Sequence, residues 1–362
     1  MENKKKVLHV LTNMQIGGIS KFVLDLCYYQ RLCEDVEVGV YVYSDINPQW
    51  DFLFKELGVR LYYGYGTKSS TLSHFKRIKS QYDIVHWHSF IPLLSCCTLF
   101  DKEKHIFTHH SVLGYGRKKN YVYHIKWKLF KLFINNIIDV EVYNSNYTKE
   151  FWQNWGAKAK SNILIYNGLR FKDYNDTVKV DLGGKYDFIV GTTSNFIKLK
   201  RIDLLIEAFA SWSKDKGNVL LLLVGDGAEK KELMSLVDKL NISNKVFFSG
   251  HKSDIFNYQK LMDVCVFPSS TETFGLAALE CLHLGKPVVV MSDGGGICEV
   301  VGFESLDTVN DISGISDRID YYYNLNSEGR RQLVQTFVER SYLFDMKVKS
   351  IEYVKLYLSL FI

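Results

Sequence analysis

Two carboxylates eight residues apart, Glu272 and Glu280, stand in the stretch of the chain best suited to chemistry, residues 267–290. Glu280 is the only charge in a predicted helix of apolar residues, where a carboxylate is costly unless it is hydrogen-bonded. The two hydroxyl groups of a ribose would satisfy both of its oxygens. Glu272 belongs to the polar loop that follows a strand, and ligands of open α/β sheets bind at that edge. The alternative is that Glu280 reaches solvent or pairs with a lysine.

A helix start lies between the two carboxylates. The pattern predicts that this helix begins near Gly275 and stops at Gly285, before a strand that opens at Pro287. Phe274, Gly275 and Leu276 would then offer backbone N–H groups at the helix N-terminus. Such groups are a natural site for a diphosphate or a sugar oxygen.

The elements that position these residues are short apolar runs, which alternate with longer helical patterns. The run Val219–Val224 is continuous and apolar, which is typical of a strand buried on both faces of a parallel sheet. The clearest predicted strands are Val7–Leu11, Val36–Tyr43, Asp83–Trp87, His105–His109, Val140–Asn144, Ile163–Tyr166, Phe188–Gly191, Val219–Val224, Lys245–Ser249, Val264–Phe267 and Pro287–Met291. Because one open sheet with so many strands would be unusual, the sequence predicts an α/β protein with two sheets.

The join between the two sheets is predicted at a turn signal, Tyr166-Asn167-Gly168, which follows a strand. We therefore assign residues 1–167 to an N-terminal domain and residues 168–345 to a C-terminal domain. The last predicted helix, within residues 346–362, is apolar enough that it must pack against another element.

Four segments of the C-terminal half are specific in combination: ETFGLAALE at 272–280, KRIDLLIEAF at 200–209, LVGDG at 223–227 and VFFSGH at 246–251. Together they resemble glycosyltransferase family 4, whose members are retaining and have the GT-B fold of two Rossmann-like domains facing a central cleft. In the N-terminal half the resemblance is looser. It implies that the N-terminal domain binds the acceptor, that the C-terminal domain binds the nucleotide-sugar, and that the last helix packs back on the N-terminal domain.

The resemblance implies a role for each residue around the two carboxylates. Glu280 resembles the glutamate that binds the ribose of the donor. Glu272 resembles the glutamate that contacts the hydroxyl groups of the donor sugar, with backbone contacts from Phe274, Gly275 and Leu276.

Lys200 resembles the cation that neutralises the donor diphosphate, and a fixed ammonium group favours the charge that develops on the leaving group. The alternative is a solvated lysine. The family usually has an arginine about five residues earlier, where this sequence has Asn195. Either Arg201 or a residue of the other domain then supplies the second positive charge, or the leaving group is stabilised less. Gly225 and Gly250 belong to the turns that resemble donor-binding segments.

Gly17 and Gly18 follow the first strand and precede a helix, so that the backbone there could closely approach a phosphate or an acceptor, and we assign the pair to donor binding. The pair also fits a plain turn. It is not a GxGxxG motif, so a dinucleotide site is poorly supported.

Histidines end two predicted strands of the N-terminal half. His109 and His110 end one of them, and we prefer His109 as the residue that resembles the family's active-site histidine. His86 and His88 end the preceding strand and either line the same cleft or belong to the core. No Asp-x-Asp pair or carboxylate cluster accompanies these histidines, so the sequence predicts no catalytic metal. It predicts no other cofactor.

The N-terminal half is basic, with 22 Lys and Arg against 14 Asp and Glu in residues 1–165. This excess predicts an anionic partner. The stretch 117–138 mixes six basic residues with tyrosine, tryptophan and phenylalanine, which suits a helix at an anionic membrane surface. Lys76, Arg77 and Lys79 could extend this patch. An ordinary domain helix with a solvated basic face is the alternative, and no nucleic-acid motif is present.

The sequence therefore predicts a retaining glycosyltransferase that moves a sugar from a nucleoside-diphosphate sugar, UDP-linked in this prediction. The expected acceptor is a hydroxyl group of a glycan or a lipid-linked saccharide, in the biosynthesis of cell-surface polysaccharide. The alternatives are a nucleotide-sugar epimerase of the same fold, a non-catalytic sugar-nucleotide-binding subunit and, more distantly, a dehydrogenase. The N-terminus lacks a signal-peptide pattern, so we expect a cytoplasmic protein that associates peripherally with the membrane.

Overall fold

The computed structural model of the chain describes residues 4–15, 17–64, 67–98, 101–112, 121–171, 180–252, 254–303 and 305–362. The chain folds as two compact units. Unit 1 consists of residues 1–170 and 345–362, and unit 2 consists of residues 171–344. The chain therefore passes between the units twice, at residues 170–171 and at residues 344–345.

A parallel sheet forms the centre of unit 1. Its seven strands in the described residues are β1 (Lys5–Leu11), β2 (Val36–Val42), β3 (Arg60–Tyr63), β4 (Ile84–Trp87), β5 (Lys104–His109), β6 (Val140–Tyr143) and β7 (Ser161–Leu164). Their order across the sheet is β3-β2-β1-β4-β5-β6-β7. The helices are α1 (Gly18–Gln30), α2 (Pro48–Glu56), α3 (Lys68–Lys79), α4 (Pro92–Ser95), α5 (Tyr121–Ile137), α6 (Asn146–Trp155) and, from the end of the chain, α14 (Met346–Ser359).

Helices cover both faces of the unit 1 sheet. On one face α1 and α14 contact each other, and the buried rings of Phe22, Tyr353 and Tyr357 join the apolar side chains of β1 and β2. On the other face an aromatic cluster packs beneath α5 and α6, with the rings of Trp87 and Phe133 5.3 Å apart in an edge-on arrangement. Large aromatic side chains bury the most area per residue, so these clusters supply much of the stability of the unit.

Where the chain returns to unit 1, the start of α14 packs against the predicted turn at Gly168. The backbone N–H of Met346 donates a hydrogen bond of 3.0 Å to the carbonyl oxygen of Leu169. A Cβ atom on Gly168 would lie 2.7 Å from the Cα atom of Met346, so this close approach of two backbone segments requires glycine.

Unit 2 is built on a second parallel sheet, in the order β10-β9-β8-β11-β12-β13. Its strands are β8 (Phe188–Thr193), β9 (Val219–Val224), β10 (Val246–Gly250), β11 (Val264–Phe267), β12 (Val288–Met291) and β13 (Thr308–Val309). Its helices are α7 (Ile202–Trp212), α8 (Lys230–Lys239), α9 (Ile255–Leu261), α10 (Leu276–His283), α11 (Gly296–Val301), α12 (Ile312–Asn324) and α13 (Ser327–Tyr342), with 3₁₀ turns at Lys198–Lys200 and Ser243–Lys245.

The strand order of each sheet reverses at one point, between β1 and β4 in unit 1 and between β8 and β11 in unit 2. Ligands of open parallel sheets bind outside the carboxyl ends of the strands at such a point. The loops that follow these four strands are therefore the places to look for functional side chains.

The prediction of two parallel α/β sheets is confirmed. All eleven predicted strands occur, nine of them with ends shifted by one or two residues. The prediction omits β3, a partly exposed edge strand, and β13, which has two residues, because neither gives a continuous apolar run. In the described part of the chain, no helix combines the length and the apolar character that crossing a bilayer requires.

Candidate active site

Lys200 and Glu272, which are distant in sequence, meet at the switch point of unit 2. Lys200 ends the 3₁₀ turn that follows β8, and Glu272 lies in the loop that follows β11. The ammonium group of Lys200 donates a hydrogen bond to Oε1 of Glu272. Their side chains are 20% and 23% exposed, so the pair is open to a ligand although it is sheltered from bulk solvent.

The backbone holds Glu272 in place from both sides. Its N–H donates to the carbonyl oxygen of Gly294 at 2.8 Å, and its own carbonyl oxygen accepts from the N–H of Gly296 at 2.7 Å. These two bonds tie the loop after β11 to the loop after β12. The carboxylate therefore projects from a fixed backbone rather than from a loose loop.

Gly275 shapes the start of α10. Its φ of 95° lies in the left-handed region that favours glycine, and a Cβ atom there would lie 2.6 Å from Cγ1 of Ile297. The preceding residue, Phe274, is buried and packs edge-on against Phe344 with 5.3 Å between the ring centres. Leu276 is the first residue of α10. The predicted helix N-terminus is therefore present in this segment, and the backbone there is constrained.

Glu280 lies one to two turns along α10 and is partly exposed. Its Oε2 accepts a hydrogen bond of 3.2 Å from Nε2 of Gln259, which is fully buried on α9. The same amide nitrogen lies 3.0 Å from the hydroxyl group of Thr193, at the end of β8. The carboxylate is thus held beside the switch point. Sequence reasoning missed Gln259, and only the packing of α9 against α10 reveals it.

Arg201 and Asn195, the residues that bear on the second positive charge, also follow β8. Arg201 donates from Nε to the carbonyl oxygen of Pro268 at 2.8 Å, and its other nitrogens bond to both carboxylate oxygens of Asp293. The charge of Arg201 is therefore matched by Asp293. Asn195 is exposed, and its carbonyl oxygen accepts from the N–H of Ile197 at 2.9 Å.

Gly225 and Gly250 lie side by side at the carboxyl ends of β9 and β10. The N–H of Gly225 donates to the carbonyl oxygen of Gly250 at 3.1 Å. A Cβ atom on Gly225 would collide with the carbonyl oxygen of Ser194, so glycine lets the loop after β8 approach this turn. Both glycines belong to the same sheet edge as Lys200.

In unit 1, Gly17 and Gly18 are exposed at the N-terminus of α1. The φ of Gly17 is 165°, an extended conformation that any residue adopts, and a Cβ atom there would meet nothing within 4 Å. No steric need for glycine is therefore visible at Gly17.

His109 and His110 occupy different environments, because successive strand residues point to opposite faces. The side chain of His109 is 1% exposed, its Nε2 lies 2.9 Å from Oε1 of Glu141, and its ring stacks on Tyr143. Burial lowers the pKa of His109, although the bond to Glu141 opposes that effect. His110 is partly exposed on the other face. His109, which we prefer from the sequence as the active-site histidine, is therefore a core side chain. His110 is the better candidate for a histidine that faces a ligand.

His86 and His88 are also buried, and with His9 they form a close group on the α1 face of the sheet. One ring nitrogen from each of the three lies within 4.8 Å of the others. Such a group has the ligand types of a metal site, so the prediction that no metal takes part stays a prediction. Nε2 of His9 lies 2.8 Å from Oε1 of Gln30, and Nδ1 of His86 lies 2.8 Å from the hydroxyl oxygen of Tyr357.

Two family models match most of the chain between them. The model described as "Glycosyltransferase Family 4" matches residues 16–171, and the model described as "Glycosyl transferases group 1" matches residues 179–337. The O-antigen biosynthesis glycosyltransferase WclY of Escherichia coli is 27% identical over 299 residues, which span 78% of this chain and 79% of that protein. The N-acetyl-alpha-D-glucosaminyl L-malate synthase of Bacillus anthracis is 30% identical over 214 residues, or 56% of this chain and 49% of that protein.

Solved structures share the fold. The crystal structure of HepE from Anabaena in complex with UDP covers 98% of this chain and 100% of its own, with a TM-score of 0.81 and 19% identity. At that identity the likeness concerns the fold, which is GT-B with two Rossmann-like units. The chain is a glycosyltransferase, and it belongs to glycosyltransferase family 4.

Proposed function

We propose that this glycosyltransferase transfers a sugar, with retention of anomeric configuration, from a UDP-sugar to a hydroxyl group of a glycan or a lipid-linked saccharide. One observation carries the proposal: Lys200, Glu272 and Glu280 gather outside the carboxyl ends of β8 and β11. A cation and two carboxylates in one place offer partners for a diphosphate and for sugar hydroxyl groups.

Each of these groups has a place on the donor. Glu280, held from one side by Gln259, accepts hydrogen bonds from the ribose diol. The backbone at Gly275 and Leu276 binds donor oxygens at the start of α10. Glu272 binds the hydroxyl groups of the transferred sugar, and Lys200 stabilises the negative charge that the leaving diphosphate gains. The choice of UDP as the nucleotide is supported by HepE, a protein of similar fold whose structure was solved with UDP and with UDP-glucose.

The acceptor is proposed from chemistry and from the relatives. WclY is named for O-antigen biosynthesis, and another relative, from Campylobacter jejuni, is named as a transferase onto a diphospho-undecaprenol-linked saccharide. Cell-surface polysaccharide biosynthesis is the corresponding role for this chain. In this proposal unit 1 binds the acceptor, with the N-terminus of α1 at Gly17 and Gly18 and with His110 rather than His109 as its polar groups.

Retention is proposed without a covalent intermediate. Glu272 is hydrogen-bonded to Lys200, and Glu280 is hydrogen-bonded to Gln259, so both are committed to binding roles. In a same-face displacement the bond from the anomeric carbon to the diphosphate oxygen breaks, and the bond to the acceptor oxygen forms on the same side. The proton of the acceptor hydroxyl group moves to the departing diphosphate oxygen, so that UDP leaves as the product.

A membrane surface is the proposed setting, through α5. This helix exposes a row of apolar side chains at Tyr121, Val122, Ile125, Leu129 and Leu132, which range from 42% to 80% exposed. Lys126 and Lys128 are exposed on the same helix. Apolar side chains flanked by lysines suit the surface of an anionic bilayer.

Parts of the predicted patch are not available to that surface. Lys79 is buried, with its ammonium group 2.5 Å from Asp101 and 3.6 Å from Glu103, whereas Lys76 and Arg77 remain exposed on α3. Residues 117–120 of the predicted stretch lie outside the described residues.

The test is a donor screen with UDP-, GDP- and ADP-sugars, in which hydrolysis and transfer are followed by NMR. We expect release of UDP and a product whose anomeric configuration matches that of the donor. Inversion would overturn the retaining mechanism, and preference for GDP or ADP would overturn the choice of UDP. Isomerised sugar nucleotide without an acceptor would identify an epimerase, and binding without turnover across an acceptor panel would indicate a non-catalytic subunit.

A further inference from the structure

Arg201 adopts a backbone conformation that arginine rarely takes. Its φ of 45° and ψ of 44° lie in the left-handed region, and Arg201 and Asn241 are the two non-glycine residues with a positive φ in the described part of the chain. Asparagine tolerates this region through its short polar side chain, whereas the Cβ atom of arginine crowds the backbone without compensation. Such strain persists where the surroundings hold a residue in place, and it is concentrated at functional sites.

The guanidinium group of Arg201 joins three loops, and we name this arrangement the arginine clamp: Arg201, Pro268 and Asp293. Arg201 itself follows β8. Its Nε donates a hydrogen bond of 2.8 Å to the carbonyl oxygen of Pro268, in the loop after β11. Its Nη1 donates to Oδ2 of Asp293 at 3.0 Å and its Nη2 donates to Oδ1, in the loop after β12. Because β8, β11 and β12 are neighbours in the sheet, the clamp spans three adjacent strand ends.

The clamp lies beside the first charged group of the candidate active site, Lys200, which directly precedes Arg201. On the other side of Lys200, the carbonyl oxygen of Leu199 accepts a hydrogen bond of 2.9 Å from the N–H of Ser270. The backbone of Lys200 is therefore tied on both sides to the loop after β11. That same loop carries Glu272, the partner of Lys200.

The other end of the clamp supports Glu272. Asp293 directly precedes Gly294, whose carbonyl oxygen accepts from the N–H of Glu272 at 2.8 Å. Arg201 therefore holds the backbone of Lys200 directly and the support of Glu272 through Asp293. One side chain fixes the position of both charged groups.

The charge of Arg201 is already balanced within the clamp. Its guanidinium group faces both oxygens of the Asp293 carboxylate, a bidentate arrangement that matches the fixed geometry of the two groups. A diphosphate could use Arg201 as a cation only in competition with that carboxylate. The side chain of Asp293 is 59% exposed, and an ion pair so close to solvent contributes little to stability. Stability alone therefore does not account for the strain at Arg201.

We infer that Arg201 is a positioning residue, whose clamp holds Lys200 and Glu272 in the arrangement that contacts the donor. It acts through the loops and is not the second positive charge that Asn195 leaves unfilled. The roles of Lys200 and Glu272 rest on the proposed function, whereas the clamp depends only on contacts within unit 2. Misplacement of a catalytic group by about 1 Å can lower a rate by about 10²-fold, so the clamp acts on turnover.

Two substitutions separate the clamp from its charge. Arg201→Gly places glycine in a left-handed position that suits it, so we expect an unfolding temperature close to that of the wild type, as relief of strain offsets the lost hydrogen bonds. Arg201→Lys keeps the charge but lacks the fork that reaches Pro268 and Asp293 together. We expect each variant to lower kcat about tenfold and to change the KM for the donor less than about twofold.

A second cation for the diphosphate would behave differently. In that account Arg201→Lys would keep most of the activity that Arg201→Gly loses, and Arg201→Gly would raise KM more than it lowers kcat. Either result would overturn the inference.

Asp293→Asn gives opposite signs for the two accounts, because it leaves the guanidinium group charged and weakens its anchor. The clamp predicts a lower kcat with the KM for the donor nearly unchanged. A second cation, freed from its counter-charge, would instead bind the diphosphate more tightly and lower KM with kcat retained. Arg331→Lys alters an exposed pair with Glu328 on α13, and as the matched control it should change neither constant.

Hydrogen exchange of the ligand-free protein, followed by mass spectrometry, tests the clamp without a donor. We expect peptides that cover residues 198–201 and 268–272 to exchange faster in Arg201→Gly and Asp293→Asn than in the wild type. The N–H groups of Ser270 and Glu272 lose the support of the clamp in these variants, so their hydrogen bonds open more often. Unchanged exchange in both peptides would overturn the inference, and Arg331→Lys should exchange as the wild type does.

The two kinds of measurement distinguish failure of the clamp from failure of the proposed function. An incorrect choice of UDP-sugar would appear in the donor screen and would leave the hydrogen exchange as expected. Faster exchange with an unchanged kcat, measured with the donor that the screen identifies, would overturn the positioning role while the proposed function stands.

Discussion

The ammonium group of Lys200 and the carboxylate of Glu272 are hydrogen-bonded to each other across the switch point of the unit 2 sheet. Each group balances the charge of the other, and both are partly exposed. A nucleoside-diphosphate sugar that binds here would offer an anion to Lys200 and hydroxyl groups to Glu272. In the proposed function these two groups therefore contact the diphosphate and the sugar of the same ligand.

Breaking this pair should lower turnover more than donor affinity. We expect Glu272→Gln and Lys200→Met each to lower kcat by about 10²-fold, because a fixed charge that stabilises the transition state is lost. Steady-state kinetics with the donor found in the screen gives kcat and KM separately. Lys198→Met changes an exposed neighbour and is the matched control. Unchanged kcat in both variants would refute the assignment of this pair.

Glu280 and its partner Gln259 should act on donor affinity instead. We expect Glu280→Gln to raise the KM for the donor by about tenfold or more, since a hydrogen bond to a charged group contributes about 1.5–3 kcal/mol. Gln259→Leu should raise KM by a smaller factor, because it leaves the carboxylate in place but unsupported. Isothermal titration with UDP alone is an independent measurement, and Glu232→Gln on α8 is the control. Equal affinity in all four proteins would contradict the role of Glu280.

The conformation of Gly275 predicts an effect on stability. Gly275→Ala forces a Cβ atom into a left-handed residue and against Ile297, so we expect a loss of about 3 kcal/mol in the free energy of unfolding. Gly217→Ala is the matched control, because a Cβ atom there meets nothing within 4 Å. Calorimetry of the two variants measures the difference. A Gly275→Ala protein as stable as the control would show that the start of α10 is not constrained.

The buried histidines predict that unit 1 loses stability in acid. Burial lowers the pKa of His9 to about 4, and lowers the pKa values of His86 and His88 well below 6.5, whereas the unfolded chain has a pKa near 6.5. The unfolded state therefore binds more protons than the folded state below pH 6.5. Stability is unaffected by these groups above that pH and falls as the pH drops toward 4, by about 1.4 kcal/mol per pH unit for each histidine.

Calorimetric unfolding at pH 7.5 and at pH 5.0 measures that loss. Neutral groups surround the rings of His9, His86 and His88. These rings contact one another, and their other neighbours are His110, Gln30, Thr108, Tyr353 and Tyr357. We expect His9→Gln to show a smaller difference between the two pH values than the wild type. His251→Gln, at an exposed histidine of unit 2, should leave the difference unchanged. A greater stability of unit 1 at pH 5.0 would have the wrong sign for buried neutral histidines.

The exposed face of α5 predicts binding to anionic vesicles. We expect the protein to sediment with phosphatidylglycerol vesicles but not with phosphatidylcholine vesicles. Replacement of Lys126 and Lys128 by glutamine should weaken binding by about 30-fold, at about 1 kcal/mol for each lysine near the surface. The matched control replaces Lys185 and Lys231, which are exposed in unit 2. Binding that is equally strong to both lipids would exclude an electrostatic membrane contact.

The sequence was most informative where chemistry and periodicity coincide. Glu280 could be singled out because a charge in an apolar helix needs a local explanation, and Glu272 because it follows a strand. Lys200 could be singled out only through the family resemblance, and the structure places it in contact with Glu272. Gln259 could not be assigned, since a glutamine in a short helix carries no pattern of its own. Its importance comes from packing between α9 and α10.

The histidines show a second limit to what the sequence alone can predict. The strand end at His109 and His110 predicts a histidine near the ligand, but the choice between neighbours depends on which face of β5 each one occupies. The partnership of His9 with Gln30 and Tyr357 joins residues that are far apart in the sequence. Only the parallel register of β1 and β4, which sets His9 opposite His86, brings this group together.

Unit 2 is an uninterrupted segment, 171–344, set within the sequence of unit 1. A ribosome therefore completes unit 2 before it has made the helix that supplies Tyr353 and Tyr357. Until then Nδ1 of His86 and Nε2 of Gln30 lack the hydroxyl group of Tyr357, and the apolar faces of β1 and α1 lack their cover. Unit 1 is thus begun first but completed last, after the whole of unit 2 has been made.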